Sequence, residues 1–262
     1  MRNTKFLIDI PYAPISGRPM SGEFLVRKLQ SFEKLSAESV TALEMIGQNR
    51  LQTIKAREDV ISEGDDPHEV YLITNGWACR YKLLEDGRRQ IMAFFLPGDI
   101  ADLHVYILRE MDHSIGALTP LTVARISARE LDEVGDAHPR ILRALWWDTL
   151  VTASIQREWT VSLGQRDAVE SLAHLFCELY LRMRSVGLCE GNICVFPLTH
   201  QHLADALGLT PTHIGRVLGK LRRSKLITFE KSRLTVHDLP GLKKIAAFNP
   251  NYLHQSNLEK NN

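Results

Sequence analysis

The residues best suited to chemistry lie near the C-terminus. Between Ile214 and Leu234 stand seven basic residues, Arg216, Lys220, Arg222, Arg223, Lys225, Lys231 and Arg233, against a single acid, Glu230. A local excess of this kind attracts a phosphate backbone, although a solvated basic face has the same composition. The chain as a whole carries a net charge of only +1 over 262 residues, so the positive field is local. No nucleophile elbow, phosphate loop or metalloprotease motif occurs. The chain therefore reads as a binding protein and not as an enzyme.

The basic residues fall in a pattern that positions them. Phe196-Pro197-Leu198-Thr199 precedes a helical run with Leu203, Ala204, Ala206 and Leu207. Gly208-Leu209-Thr210 then turns the chain, and Pro211 sits where a helix's first turn tolerates a missing N–H. A second helix follows, burying Ile214, Val217, Leu218 and Leu221 and leaving Thr212, Gly215, Arg216 and Lys220 for solvent or a groove. Two helices joined by a short turn containing Gly make a helix-turn-helix. Ile227-Thr228-Phe229 and Leu234-Thr235-Val236, separated by Lys231-Ser232, read as a hairpin that gives the motif a wing.

The rest of the chain divides by period. Residues 1–24 are an N-terminal arm, rich in Pro and with little periodicity. Helical spacing runs from Leu25 to Leu51, with Ser36 or Ser39 as a cap. From Leu51 to Ile126, short β-like runs end in Gly or Asp turns (Gly64-Asp65, Asn75-Gly76, Asp86-Gly87, Pro97-Gly98-Asp99), which predicts an antiparallel barrel or sandwich. After Pro139 a helical period lasts about 25 residues, or roughly 38 Å. Its apolar residues lie on more than one face, so it needs a second partner, such as the same helix of another subunit. Charged residues at Leu150 or Ile155 are expected to break that pairing. The fold class expected is α+β: a barrel at 25–137, a dimerisation helix at 138–164, a winged helix-turn-helix at 165–240 and a C-terminal tail at 241–262. No apolar run approaches a membrane span or a signal-peptide core, which suggests a cytoplasmic protein.

These features resemble the Crp-Fnr superfamily of bacterial transcription regulators, over about residues 25 to 245. The likeness rests on Gly64-Asp65, Val70-Tyr71-Leu72-Ile73, Gly76, Asp86-Gly87-Arg88 and Phe94 through Pro97-Gly98-Asp99. It rests also on Leu198-Thr199-x-Gln201-x-Leu203-Ala204 through Gly208-Leu209-Thr210 to Ile214-Gly215-Arg216-Val217-Leu218. It implies a jelly-roll sensor domain, a dimerisation helix and a winged helix-turn-helix that binds a palindromic operator in double-stranded DNA as a homodimer. RNA polymerase is a further partner that the resemblance implies. Carried over by position, Arg216 reads a guanine through O6 and N7, and Gln201, Thr210 and His213 touch phosphates. Thr212 stands where many members have a base-reading glutamate, and Pro211 replaces an arginine of the cyclic-AMP-responsive branch. With Gly215, Lys220 and Lys231 these make up the expected DNA-binding set.

The barrel departs from its ligand-binding relatives. Cyclic-nucleotide-binding members carry a glutamate and an arginine whose positions fall near Ala101 and Met111, and neither residue here can bond a ribose or a phosphate. Iron-sulfur members use an N-terminal cysteine cluster, whereas the four cysteines here, Cys79, Cys177, Cys189 and Cys194, are scattered and suggest no disulfide framework. Cys189 and Cys194 do not make a zinc site. His113 reads as a structural histidine. No cofactor or metal is expected, and the signal is not assigned. Two rival readings are a cyclic-nucleotide-responsive regulator and a barrel that regulates an attached enzyme.

Overall fold

In a computed structural model, residues 22–103 and 107–255 are described. Most of the expected N-terminal arm lies outside them. Two short helices come first, α1 (Glu23–Gln30) and α2 (Ala37–Met45). The sequence reads as one helical stretch over 25–51, but Ser36 takes an extended conformation and its side chain accepts from the Ser39 amide. A serine that caps a new helix competes with continuing the old one.

The next strands are β1 (Leu51–Ile54), β2 (Asp59–Ile61), β3 (Glu69–Asn75), β4 (Ala78–Leu83), β5 (Arg89–Phe95), β6 (Ile100–Ala101), β7 (Ser114–Ala117) and β8 (Leu121–Ser127). They pair antiparallel in two four-stranded sheets, ordered β1-β8-β3-β6 and β2-β7-β4-β5. This is the strand order of a double-sheet jelly roll. Alternation along the strands turns one side chain in two inward, and Ile54, Ile61, Ile73, Phe95, Met111, Ile115, Leu121 and Val123 close the barrel interior as one apolar cluster.

After α3 (Ala128–Ala137), α4 (Pro139–Gly164) runs for 26 residues, then α5 (Ala168–Ser185) begins at a capping box made by Asp167 and Glu170. A small hairpin follows, β9 (Cys189–Glu190) and β10 (Ile193–Val195), then α6 (His200–Leu207), α7 (Pro211–Arg223), β11 (Ile227–Glu230), β12 (Arg233–Val236) and α8 (Leu239–Ile245). The last four strands form one sheet, ordered β11-β12-β10-β9. Every residue of α5 from Ser171 to Tyr180 is buried, because α5 packs against α4, α6, α7 and α8.

Ion pairs and aromatic rings join the two halves. Asp99, in the Pro-Gly-Asp turn after β5, takes Lys28 of α1 at 2.8 Å and Arg182 of α5 at 2.7 Å. Lys28 also pairs with Asp148 of α4 at 2.6 Å. Arg182 reaches Glu178 at 3.3 Å, and the Glu178 carboxylate accepts from Trp159 and Tyr252. Burial alone would push the Asp99 carboxyl up, but Lys28 and Arg182 hold it below the usual carboxylate range. Trp77 and Phe196 meet edge to face at 5.3 Å, and Phe94 and Trp159 at 5.8 Å.

The C-terminal segment is not a loose tail where it is described. Leu242, Ala246, Phe248 and Leu253 are buried, Phe248 and Tyr252 lie on the His174 ring, and His254 meets Trp147 of α4. The apolar spacing of Leu242, Ala246 and Phe248 is the signal that marks it. The disulfide between Cys189 and Cys194 is a second departure from the sequence reading. Cys79 and Cys177 are free and buried.

Candidate nucleic-acid interface

Thr199 caps α6, accepting from the His202 amide at 3.1 Å while its own amide donates to His202 Nδ1 at 3.3 Å. Leu203, Ala204 and Ala206 bury the inner face of α6. Gly208 ends the helix at φ 64°, a left-handed conformation that costs glycine little. Thr210 then caps α7 through its hydroxyl, which accepts from the His213 amide at 3.2 Å, and Pro211 fills the first helical position. A cap of this kind is worth about 1 kcal/mol.

Along α7, Ile214, Val217 and Leu221 are buried and Leu218 is half-buried. Pro211, Thr212, Arg216 and Lys220 are exposed. Thr212, Arg216 and Lys220 are four residues apart in turn, so they form one stripe along the helix. His213 is half-buried. Gly215 faces α6, and a Cβ there would lie in ordinary contact with the His200 ring at 3.6 Å, so space alone does not demand glycine.

The wing supplies the rest of the positive field. β11 and β12 pair from Ile227↔Val236 to Glu230↔Arg233, and Lys231 and Ser232 form the two-residue tip at φ 49° and 56°. Positive φ at both central positions is the geometry of a tight hairpin turn that normally selects Asn-Gly. Lys231 is exposed at this tip, and its neighbour Ser232 accepts from the Phe196 amide at 2.7 Å. Among the described residues, none of Arg216, Lys220, Arg222, Arg223, Lys225, Lys231 and Arg233 has a carboxylate within ion-pair distance. Among the described residues no carboxylate neutralises this field.

Gln201 is placed differently from the others. It is exposed on α6, but its amide donates to Asp205 at 2.6 Å, and Asp205 pairs with Arg89 of β5 at 2.7 Å. Gln90 also donates to the Ala206 carbonyl at 3.1 Å. A barrel strand is thus joined to the first helix of the motif, a link that sequence reasoning missed because its partners are 116 residues apart. Burial, with the positive charge of Arg89, pulls the His202 imidazole down to about 4, so it is neutral at ordinary pH.

In the barrel, Ala101 and Met111 are both buried in the apolar interior. Arg80 donates to Asp102, whose other oxygen meets His113 Nε2 at 2.8 Å. His113 Nδ1 meets Asp112 at 2.6 Å. The Arg80 guanidinium stands 5.4 Å over the Phe95 ring.

Comparison with known proteins bears on both halves. Residues 51–138 match the model of the cyclic nucleotide-binding domain, and residues 170–245 match that of the Crp-like helix-turn-helix domain. The chain is 30% identical over 214 residues to the nitrogen fixation regulation protein FixK of Bradyrhizobium diazoefficiens, covering 81% of this chain and 88% of that one. It is 28% identical over 215 residues to the transcriptional activator protein FnrL of Cereibacter sphaeroides, covering 81% and 85%. Among solved structures, FixK2 from Bradyrhizobium japonicum has the same fold, with a TM-score of 0.67 at 24% identity over 76% of this chain and 98% of that one. These relatives are regulators of transcription and not enzymes.

Proposed function

The chain belongs to the Crp-Fnr family of DNA-binding transcription regulators, and we propose that it reads a palindromic operator as a homodimer joined along α4. The unpaired basic stripe on α7, flanked by the wing, is the observation that carries the DNA-reading half of this. The exposed apolar face of α4 carries the other half. Leu142, Trp146, Leu150 and Val161 are all exposed on one side of it, with Trp146 at 62% and Leu150 at 58%. Large apolar side chains left in water along one helix mark an interaction surface, and a second copy presents the same stripe.

In this reading α7 enters the major groove. Arg216 offers its fork to guanine O6 and N7, and Thr212 lies one turn before it on the same stripe. Pro211 starts the helix at the groove. Thr210, His213, Gln201, Lys220, Arg223 and Lys231 meet phosphates, and Gly215 lies beside them on α7, on the side facing α6. Gln201 has a second amide hydrogen for a phosphate while it holds Asp205, which connects DNA contact to the Arg89 link with the barrel. The mechanism is a shift in population between placements of the two motifs. α4 ends at Gly164 and α5 starts at Ala168, so Gln165, Arg166 and Asp167 are where the placement changes.

The barrel works without a cyclic nucleotide. Ala101 and Met111 offer no polar group, Asp102 already occupies Arg80, and Asp112 would repel a phosphate. Iron-sulfur chemistry is likewise not part of this reading, because two of the four cysteines are buried singly and the other two are joined to each other. The protein works in the cytoplasm, where its DNA is, and engages RNA polymerase as its family resemblance implies. Among the described residues no helix is long and apolar enough to cross a membrane.

Comparing Arg216→Ala with Lys220→Ala on every single-base variant of an operator tests the assignment. Arg216→Ala should cost about 1–3 kcal/mol and relax preference at one base pair per half-site. Lys220→Ala should weaken all sequences alike and flatten the salt dependence by roughly one unit of slope. If Arg216→Ala keeps the full base preference, α7 does not read the groove in this way.

A further inference from the structure

We propose that Cys189 and Cys194 form a reversible dithiol–disulfide switch that sets the DNA affinity of the winged domain. The proposal rests on reading the chain as a DNA-binding regulator of the cytoplasm. In such a compartment thiols are kept reduced, and a disulfide that forms there is transient or sensing instead of a permanent staple.

The pair is built into the sheet. Cys189 and Cys194 stand directly opposite across β9 and β10, with Cα atoms 4.4 Å apart. That is the spacing of a pair without mutual backbone hydrogen bonds, where side chains approach most closely. Cys194 is buried and Cys189 is partly exposed, so one sulfur is reachable from solvent and the second waits behind it. The two other cysteines do not compete. Cys79 and Cys177 are buried, and burial pushes both thiols up to about 12.

The same pair is wired to the wing and to α6. β10 lies on β12, with Cys194↔Leu234 and Val195↔Arg233 in register. The Asn192 side chain donates to the Val236 carbonyl at 3.1 Å, and the Phe196 amide to Ser232 at the wing tip. Thr199, the cap of α6, follows shortly after. β9 is the edge strand and has only two register pairs with β10, one of them the cysteines themselves. So short a pairing is marginal without a covalent tie. When the disulfide is present, β9 and β10 are held on the wing. When it is reduced, β9 is released and β10 loses its outer support, so the wing enters DNA binding less ordered and with more entropy to lose.

The oxidant is a small disulfide. The Cys189 thiolate attacks one sulfur of that reagent, whose S–S bond breaks and whose other half leaves and takes a proton. The Cys194 thiolate then attacks the Cys189 sulfur of the mixed disulfide and expels the second half, which also takes a proton. Two protein thiols are oxidised and one external disulfide becomes two thiols. An excess of the external thiol runs the steps backward.

The test uses the full chain equilibrated in glutathione buffers from oxidising to reducing. Alkylation and mass spectrometry read the thiols, and fluorescence anisotropy reads binding to a duplex that the protein has selected from a random pool. The expected result is a reversible titration of the 189–194 pair alone, with Kd rising at least about threefold on reduction. Cys189→Ser and Cys194→Ser should each sit at the weaker affinity and lose redox dependence. The alkylation titration of the wild-type chain needs no variant to fold. A Kd that stays constant across the range while DNA is bound overturns the switch and leaves the regulator reading intact. So does redox dependence that persists in both variants, or a pair that resists excess reduced glutathione. Absence of binding in every redox state overturns both.

Discussion

His113 is buried between the carboxylates of Asp102 and Asp112, and its titration is a direct consequence. Burial pushes the imidazole down, but the hydrogen bond and charge of Asp102, helped by Asp112, outweigh burial and the nearby Arg80, so the net shift is upward from 6.5. A group whose folded pKa is raised stabilises the fold fully below its unfolded pKa and loses that contribution as pH rises through the folded one. The stabilisation from His113 is therefore complete at acidic pH and fades above 6.5. His113→Gln should lower the melting temperature more at pH 6 than at pH 8, and an NMR titration of the wild-type imidazole should show the raised midpoint. Equal losses at both pH values would show that the pair with Asp102 is not charged. Residue types announced some of these roles and hid others. Arg216 and Lys220 stood out because α7 is a regular helix whose period can be counted. Asp102 and His113 are 11 residues apart in the sequence, and no period links them, so their pairing came only from the fold.

At the scale of elements, α4 separates what periodicity reveals from what it conceals. The spacing of Leu142, Leu145, Trp146, Leu150, Ile155 and Trp159 announces a long helix with apolar residues on several faces, but not which face meets which partner. The structure divides them: Leu145, Ile155 and Trp159 are buried within the chain, and Leu142, Trp146 and Leu150 are exposed. Ile155 is thus a poor probe of the dimer, contrary to the reading from spacing. Leu150→Glu should give folded monomers in light scattering at micromolar concentration, while Ile155→Glu should mainly lower the stability of each subunit by burying an unpaired charge. A Leu150→Glu protein that stays dimeric would remove α4 as the interface. The C-terminal segment teaches the converse. Residues 241–262 read as a tail, yet Leu253 is 1% exposed against α4 and α5. Leu253→Ala should cost about 2–5 kcal/mol in denaturant titration, whereas a free tail would show no loss. The jelly-roll strands were legible because Gly and Asp punctuate them. Their pairing order was not, since β1 meets β8 and β2 meets β7 across most of the domain.

For the whole molecule, the question is how barrel, long helix and winged motif act as one device. Lys28, Asp99, Asp148, Glu178 and Arg182 join α1, the barrel turn after β5, α4 and α5 in one buried network. Removing one partner of such a set leaves another charge buried without compensation, which costs more than the pair itself is worth. The network holds α5, and α5 carries the motif. Arg89 and Asp205 add a second tie between barrel and α6. A change at the barrel can therefore alter where two α7 helices stand, provided that two chains are joined along α4. That geometry makes one claim about DNA that no single residue makes. Sequencing of duplexes selected from a random pool by the full chain tests it most directly. The account predicts enrichment of an inverted repeat whose half-sites lie about one helical turn, roughly 34 Å, apart. Enrichment of a single unrepeated half-site, or of no sequence at all, would contradict it.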